Sequence, residues 1–421
     1  MGIVSRFPRE LLNKSYEERR AYFKLFMVAH PKLVKAEKQI LNIIQEPADA
    51  GVIFLVGPTG IGKTTLQKQV IKRLIEKEMS SLKKNPGRIV AARMLAPNPY
   101  KRPYSWPDHF IRTLIALKDV LVENKINHIG LDSEQHYWER VTRSLRSVPI
   151  ADRRALESAF RHRNPLAFFI DEAQHIIKVG SGQRLVDQAD TIKSLADACQ
   201  VLHILVGTYD LLLLNNLNGQ LARRSVDIHF SRYKRDDPTD HESFMKTLKT
   251  LLAHMPLVIP PKMEDEDLFF TRSMGCIGIL KNWLSRALAA ALDDNQDTVS
   301  HKMFEKTALP IAKCKEIAKE IYEGESALEE GEDAESLKEL REYLKGKSSS
   351  KPLSPSPPKE RRENPLSEAS GRGIDESLNS QEMAGSKKKE HKAKNAKKSR
   401  RTRIGRNPKR DKIGVNSLVG E

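Results

Sequence analysis

Residues Gly51 to Val70 read GVIFLVGPTGIGKTTLQKQV, and this stretch decides the fold class. Five apolar residues, Val52 to Val56, run directly into Gly57-Pro58-Thr59-Gly60-Ile61-Gly62-Lys63-Thr64-Thr65, and a pattern of helical period follows. A short continuous apolar run is the pattern of a strand buried on both faces. The loop satisfies G-x-x-x-x-G-K-[ST] at each fixed position, in the strand-to-helix context that gives the match its meaning. Gly57, Gly60 and Gly62 let the backbone curl so that successive N–H groups point inward at phosphate oxygens. The helix start adds positive dipole at the same place. Lys63 is placed to reach the β- and γ-phosphates of ATP, and the Thr64 hydroxyl to coordinate Mg2+. Pro58, Thr59, Ile61 and Thr65 complete the nucleotide-binding loop.

Outward from this loop the chain alternates apolar runs with amphipathic segments. RIVAARML (Arg88–Leu95), LAFFI (Leu166–Ile170) and VLHILV (Val201–Val206) read as further strands, and DIHF (Asp227–Phe230) as a fifth. Alternation of this kind predicts an α/β fold with a parallel, doubly covered sheet. Residues 1–50 read as an N-terminal helical segment leading into the first strand, and 51–235 as the P-loop core. Residues 236–322 read as an all-helical lid. Residues 323–421 read as an acidic helix followed by a disordered Ser/Pro-rich and basic tail.

The second element of the site is LAFFIDEAQH, Leu166 to His175. Adjacent acids after a buried strand are expensive unless metal or water compensates them. Asp171 is the candidate to hold Mg2+ through a water, together with Thr64, and Glu172 is the candidate base for the attacking water. A glutamate directly after that aspartate points to ATP hydrolysis and away from a small GTPase or a nucleotide kinase. In ILVGTYD, Ile204 to Asp210, a strand ends in Thr208, a candidate to sense the γ-phosphate or orient the water. In NGQLARRSVDIHF, Asn218 to Phe230, Arg223 and Arg224 precede the last strand. Either can stabilise transition-state charge on a neighbouring copy's γ-phosphate. SMGCIGILKNWL, Ser273 to Leu284, opens a lid helix whose Lys281 is a candidate second contact to the nucleotide.

The chain has 421 residues and a net charge of +17, from 72 Lys+Arg against 55 Asp+Glu. A basic excess of this size favours a polyanionic partner, nucleic acid before an anionic membrane. The segment from Lys387 to Lys412 carries 14 Lys/Arg and 2 Asp/Glu, so much of the positive charge sits in one arm. That arm is suited to salt-sensitive contact with DNA or to docking on a partner protein. Cys199, Cys276 and Cys314 form no C-x-x-C pair, so neither a disulfide framework nor a zinc ribbon is expected. Reduced thiols, no signal-peptide pattern at the N-terminus and no run of about 18 apolar residues make a cytoplasmic protein without a membrane span the expectation.

Taken in order, these motifs resemble the AAA+ ATPases, and within them the TniB/TnsC group of transposition regulators. The residues that carry the resemblance are VAHPKLVKAEKQILNIIQEP before the loop, GPTGIGKTT, FFIDEAQHI, TIKSLADACQVLHILVGTYDLL and QLARRS, with the spaced glycines Gly275 and Gly278 before the lid helix. The likeness covers about residues 25–290. It implies an AAA+ core with a helical lid, ATP and Mg2+ as cofactors, and homo-oligomeric rings or filaments on double-stranded DNA. It also implies partnership with a target-selection protein and a transposase, with ATP hydrolysis resetting the assembly. Lys63 and Asp171 are 108 positions apart, long for such a core, so residues 98–165 are expected to hold inserted helices. Within them PNPYKRPYSWPDHF, Pro97 to Phe110, is the candidate DNA loop, with Lys101, Arg102 and Arg112 as phosphate contacts. The same residues are compatible with an ATP-gated switch or scaffold that binds proteins alone. They are also compatible with a replication loader or initiator, which would usually carry a folded winged-helix domain after the lid.

Overall fold

The computed structural model describes residues 4–100, 103–119, 149–178, 183–215, 219–329 and 334–344, all within the unit Met1–Ser349. Lys101, Arg102 and the basic segment 387–412 lie outside the described residues.

Five strands form one parallel sheet: β1 (Val52–Val56), β2 (Ala91–Leu95), β3 (Ala167–Asp171), β4 (Leu202–Gly207) and β5 (Ser225–His229), in the order β2-β3-β4-β1-β5. β1 is interior, with Val52 opposite His203 and Ser225, and Val56 opposite Gly207 and His229. Its burial on both sides explains the unbroken apolar run. Val52, Phe54 and Val56 enter one core cluster with Phe168, Ile170 and Leu205. Ile53 and Leu55 enter the opposite cluster with Leu66, Val70, Phe169, Ile204 and Val206. Alternate side chains of one strand thus seal helices to both faces, each fully buried side chain contributing about 1.5–3 kcal/mol.

A third cluster sits apart from the sheet. Helices Pro238–Ala253, Glu266–Ser273, Ile277–Asp293 and His301–Thr307 bury Phe244, Leu248, Phe269, Trp283, Leu284 and Phe304 against one another. This is the lid. Cys276 and Ile279 of the lid itself enter the core cluster, and two further segments tie it to the core. The first is N-terminal. Helix Tyr16–Leu25 starts at a capping box made by Ser15 and Glu18 and places Phe23, with no exposed surface, in the lid cluster. After an extended stretch, His30 caps helix Pro31–Gln45 through its ring, and Pro31 occupies the first helical position. That helix buries Leu33, Ala36, Ile40 and Ile44 in the core cluster. One short stretch, residues 26–30, therefore spans from lid to core.

The second tie is helix Ile311–Glu329, which runs through the position, 322/323, where the sequence suggested the lid would end. It lies against the loops at the C-terminal edge of the sheet. Thr59 Oγ1 donates to Glu320 Oε1 at 3.1 Å. Arg232 grips Glu325 with a fork of 3.1 and 3.0 Å. Gly324 passes so near the Tyr209 ring that a Cβ there would lie 2.1 Å from Cδ2.

The five expected strands are present, β1 with the expected ends and the other four with shifted ends. β2 begins at Ala91 rather than Arg88, because Ile89 N–H is committed to Arg163 O and Val90 O to Leu166 N–H. Among the described residues of the expected insertion, helices Trp106–Ala116 and Pro149–Arg163 are formed. The three cysteines are free and buried. Among the described residues no helix is long and apolar enough to cross a membrane.

Phe23→Ala is expected to cost about 3–5 kcal/mol, read as a lower midpoint of urea unfolding. Leu25→Ala, two residues on at a position that is 79% exposed, should cost under about 0.5 kcal/mol. Equal effects would mean that the N-terminal helix is not seated in the lid cluster.

Candidate nucleotide site

The loop after β1 takes the backbone course its glycines permit. Gly60 and Gly62 have φ of +76° and +115°, values an L side chain rarely adopts. Helix Lys63–Lys77 starts immediately after Gly62, which leaves its first N–H groups unpaired within the helix and facing the loop. Lys63 folds back over the loop, its ammonium donating to Gly57 O at 2.8 Å and Pro58 O at 3.0 Å. Burial pushes the Lys63 pKa below its ordinary value, while the carboxylates of Glu172, Glu320 and Asp171 pull it back up. A cation held by three nearby acids and bonded to neutral carbonyls is poised to exchange them for phosphate oxygens.

Across the sheet, β3 delivers Asp171, which is 3% exposed. Thr64 Oγ1 donates to Asp171 Oδ2 at 3.1 Å, and the guanidinium of Arg93, on β2, lies 3.6 Å from the same oxygen. Asp171 Oδ1 accepts from Glu172 N–H at 3.1 Å. A hydroxyl and a carboxylate side by side beside a phosphate-binding loop are hard oxygen donors suited to Mg2+, which takes one or two protein ligands and completes its shell with phosphate and water. Glu172 has φ +53° and opens a single turn of 3-10 helix, Ala173–Ile176. Its carboxylate Oε2 accepts from Gln174 Nε2 at 2.6 Å.

A cavity of about 370 Å³ opens between the loop residues Thr59 to Thr65, the acidic pair's Glu172, Thr208 at the end of β4, the stretch from Phe26 to His30, and the lid residues Ile277, Gly278, Lys281 and Asn282. The lid helix begins hard against the loop. A Cβ on Gly278 would lie 2.2 Å from Gly60 O, and one on Gly60 would lie 2.6 Å from Ile279 Cγ1. The two glycines allow the lid helix to start this close to the loop.

The remaining expected site residues fall in different places. Thr208 lines the cavity, but its hydroxyl donates to Asp210 Oδ2 at 3.2 Å. Lys281 lines it too, with its ammonium 3.1 Å from the centre of the Phe23 ring and donating to Phe23 O. Burial lowers the Lys281 pKa to about 7, and the carbonyl and ring face are what it finds there in place of water. Arg223 and Arg224 are exposed immediately before β5. Arg223 is 3.8 Å from Asp49, and Arg224 pairs with Asp197. They stand at the end of the sheet opposite the loop, beyond reach of the site on their own chain. Arg112 pairs with Asp108 at 3.0 Å along its own helix. In the stretch read as a DNA loop, Tyr104 and Phe110 are buried and the Tyr104 hydroxyl is 2.7 Å from His109 Nδ1. Two of the aromatics there are core, whereas Trp106 is half-buried and Tyr100 is exposed. The sequence reading missed Gln174, Arg93 and the residues from Phe26 to His30. Gln174 was visible as the fourth letter of DEAQ, whereas Arg93 and the N-terminal stretch reach the site only through the fold.

A P-loop after β1, an acidic pair after β3, a parallel sheet ordered β2-β3-β4-β1-β5 and a helical lid define the AAA+ P-loop fold. The AAA_22 family model, described as an AAA domain, matches residues 45–214. No curated protein sequence matches the chain. Among solved structures, the chain is similar to the Aeropyrum pernix ORC2 protein in its ADPNP-ADP complexes, at 16% identity over 69% of this chain and 71% of that one, with a TM-score of 0.42. The Aeropyrum pernix ORC1 protein in complex with DNA matches at 17% identity over 68% of each chain, with a TM-score of 0.42. Domain III of the Thermotoga maritima replication initiation protein DnaA matches at 15% identity over 68% of this chain and 94% of that one, with a TM-score of 0.38.

Gly278→Ala puts a methyl group against the loop carbonyl. The substitution is expected to weaken binding of a fluorescent ATP analogue roughly tenfold or more with the circular dichroism spectrum unchanged. Unaltered affinity would show that the lid start does not limit the cavity.

Proposed function

We propose that this chain is a Mg2+-dependent ATPase that oligomerises on double-stranded DNA and regulates transposition, linking a target-selection protein to a transposase. The observation that carries the ATPase part is the meeting of Lys63, Thr64, Asp171 and Glu172 at the C-terminal edge of the sheet, with Thr64 and Asp171 3.1 Å apart. Thr64 and Asp171 would hold the metal, which when bound neutralises charge on the β- and γ-phosphate oxygens. Lys63 would leave the carbonyls of Gly57 and Pro58 for those oxygens. Glu172 would accept a proton from the attacking water, whose position is bounded by Thr208. Arg223 or Arg224 would serve the site of an adjacent copy, since neither reaches the site on its own chain. Lys281 would border the nucleotide from the lid side.

The DNA part is supported by the net charge of +17 and by the candidate contacts Lys101, Arg102 and Arg112. The transposition part is supported by the DEAQ, VGT and QLARR motifs in their order, within the stretch that includes the AAA domain at 45–214. The lid, the loop and the N-terminal stretch meet at one cavity, so nucleotide occupancy and lid position are coupled. That is the requirement for an assembly that ATP builds and hydrolysis resets.

Co-sedimentation with duplex DNA tests the reading. The wild-type chain is expected to pellet with DNA when Mg2+ and ATP are present, and less so as salt rises. Lys63→Ala should lose that assembly. Glu172→Gln should keep it and persist, because binding survives and turnover falls by on the order of 100-fold or more. Assembly by Lys63→Ala with unchanged ATP dependence sinks the proposal. Assembly that needs ATP but ignores DNA identifies a protein-binding switch. Preference for one replication-origin duplex, with no effect on a transposition assay, identifies an initiator.

A further inference from the structure

Glu172 is held by more than its own strand. It sits in a left-handed conformation, φ +53° and ψ +37°, which is strained for a residue with a side chain. Such a conformation persists where the surroundings fix it. Two contacts do so here: the Glu172 N–H to Asp171 Oδ1 at 3.1 Å, and the Glu172 Oε2 acceptance from Gln174 Nε2 at 2.6 Å. The Gln174 amide has two ends with opposite chemistry. While its NH2 serves Glu172, its carbonyl Oε1 lies 3.4 Å from the backbone N–H of Thr208, at the end of β4. Gly207 makes room for this, since a Cβ there would lie 2.4 Å from Gln174 Oε1. All three residues, Glu172, Gln174 and Thr208, face the nucleotide cavity.

We infer that Gln174 is a positioning residue for hydrolysis: its amide orients the Glu172 carboxylate toward the attacking water and ties that orientation to the end of β4. The inference rests on the ATPase reading of the site. One carboxylate oxygen of Glu172 is fixed by the amide, which leaves the other free to take a proton from water. The donor and acceptor ends of the amide fix which way it faces, because a reversed amide would set its oxygen against the carboxylate. Gln174 touches neither phosphate nor water in this role. It acts through Glu172, so its loss should slow turnover and leave nucleotide binding intact.

The test uses the full-length chain with Mg2+ and ATP. Gln174→Met keeps the length and removes both hydrogen bonds. Gln174→Glu keeps the shape and sets a second carboxylate against Glu172. Both are expected to lower kcat by about 10- to 100-fold, the scale of one hydrogen bond to a charged group, with Gln174→Glu the slower. KM and affinity for a fluorescent ATP analogue should stay close to wild type. A residue that merely held the turn together would lower affinity along with rate, and that pattern overturns the inference. Wild-type kcat in Gln174→Met while Glu172→Gln is inactive overturns it too, and leaves the ATPase reading standing. Hydrolysis by Glu172→Gln at the wild-type rate sinks both.

Discussion

The hydrogen bond between Thr64 and Asp171 is the constraint on which the architecture turns. The two residues come from helix Lys63–Lys77 and from β3, and β4 lies between β3 and β1 in the sheet. Their side chains can meet at 3.1 Å only above the C-terminal edge of a parallel sheet. That edge is where ligands of open α/β sheets bind. Asp171 is buried, and a buried carboxylate must be compensated. Here Oδ1 is taken by the Glu172 N–H, while Oδ2 faces the Thr64 hydroxyl and the Arg93 guanidinium. The positive charge of Arg93 beside this oxygen stands close to where the proposed metal would sit. Under that proposal the metal would take over from one cationic partner, so the carboxylate would be paired with or without it.

How much of this was legible in the sequence depends on how local the cause is. β1 was readable to the residue because burial on both faces forces an unbroken apolar run, and the same logic gave β3 and β4 within one residue at either end. The end of β3 was read one residue short. Asp171 looks like the start of a loop by composition, yet it stays in register opposite Leu95. The charge at Asp171 belongs to the strand because the fold supplies its partners. In residues 97–110 the composition shows which side chains are present but not which of them turn inward. Proline, aromatics and lysine-arginine in one stretch suggest an exposed basic loop; Lys101 and Arg102 lie outside the described residues, and beyond them Tyr104 meets Trp106 and His109 edge to face while Trp106 lies tilted against His109 and Phe110. Lys281 shows the limit most sharply. Nothing near it in sequence announces that Phe23, 258 positions away, supplies both the ring and the carbonyl that hold its ammonium.

The lid is a separate hydrophobic unit, yet it is not free. Its cluster of Phe244, Phe269, Trp283 and Phe304 shares no strand with the sheet, so hinge motion would be the default expectation for two such bodies. Two segments restrain it. Residues 26–30 cross the gap on one side, anchored by Phe23 in the lid and Leu33 in the core. Helix Ile311–Glu329 crosses on the other, anchored by the Arg232–Glu325 fork and the Tyr209–Gly324 contact. Both crossings border the same loop. The first lines the cavity, and the second places Glu320 on Thr59.

That placement makes the loop the common point of four bodies: sheet, lid, N-terminal stretch and C-terminal helix. A phosphate entering beside Thr59 brings negative charge toward Glu320, which already bears on Lys63. Repulsion between the two would favour movement of helix Ile311–Glu329, while attraction from Lys63 and the helix start draws the phosphate in. The opposing responses act through different elements, one tied to Arg232 after β5 and the other to β1. Under the proposed ATPase reading, nucleotide charge would thereby act in opposite senses on helix Ile311–Glu329 and on the loop.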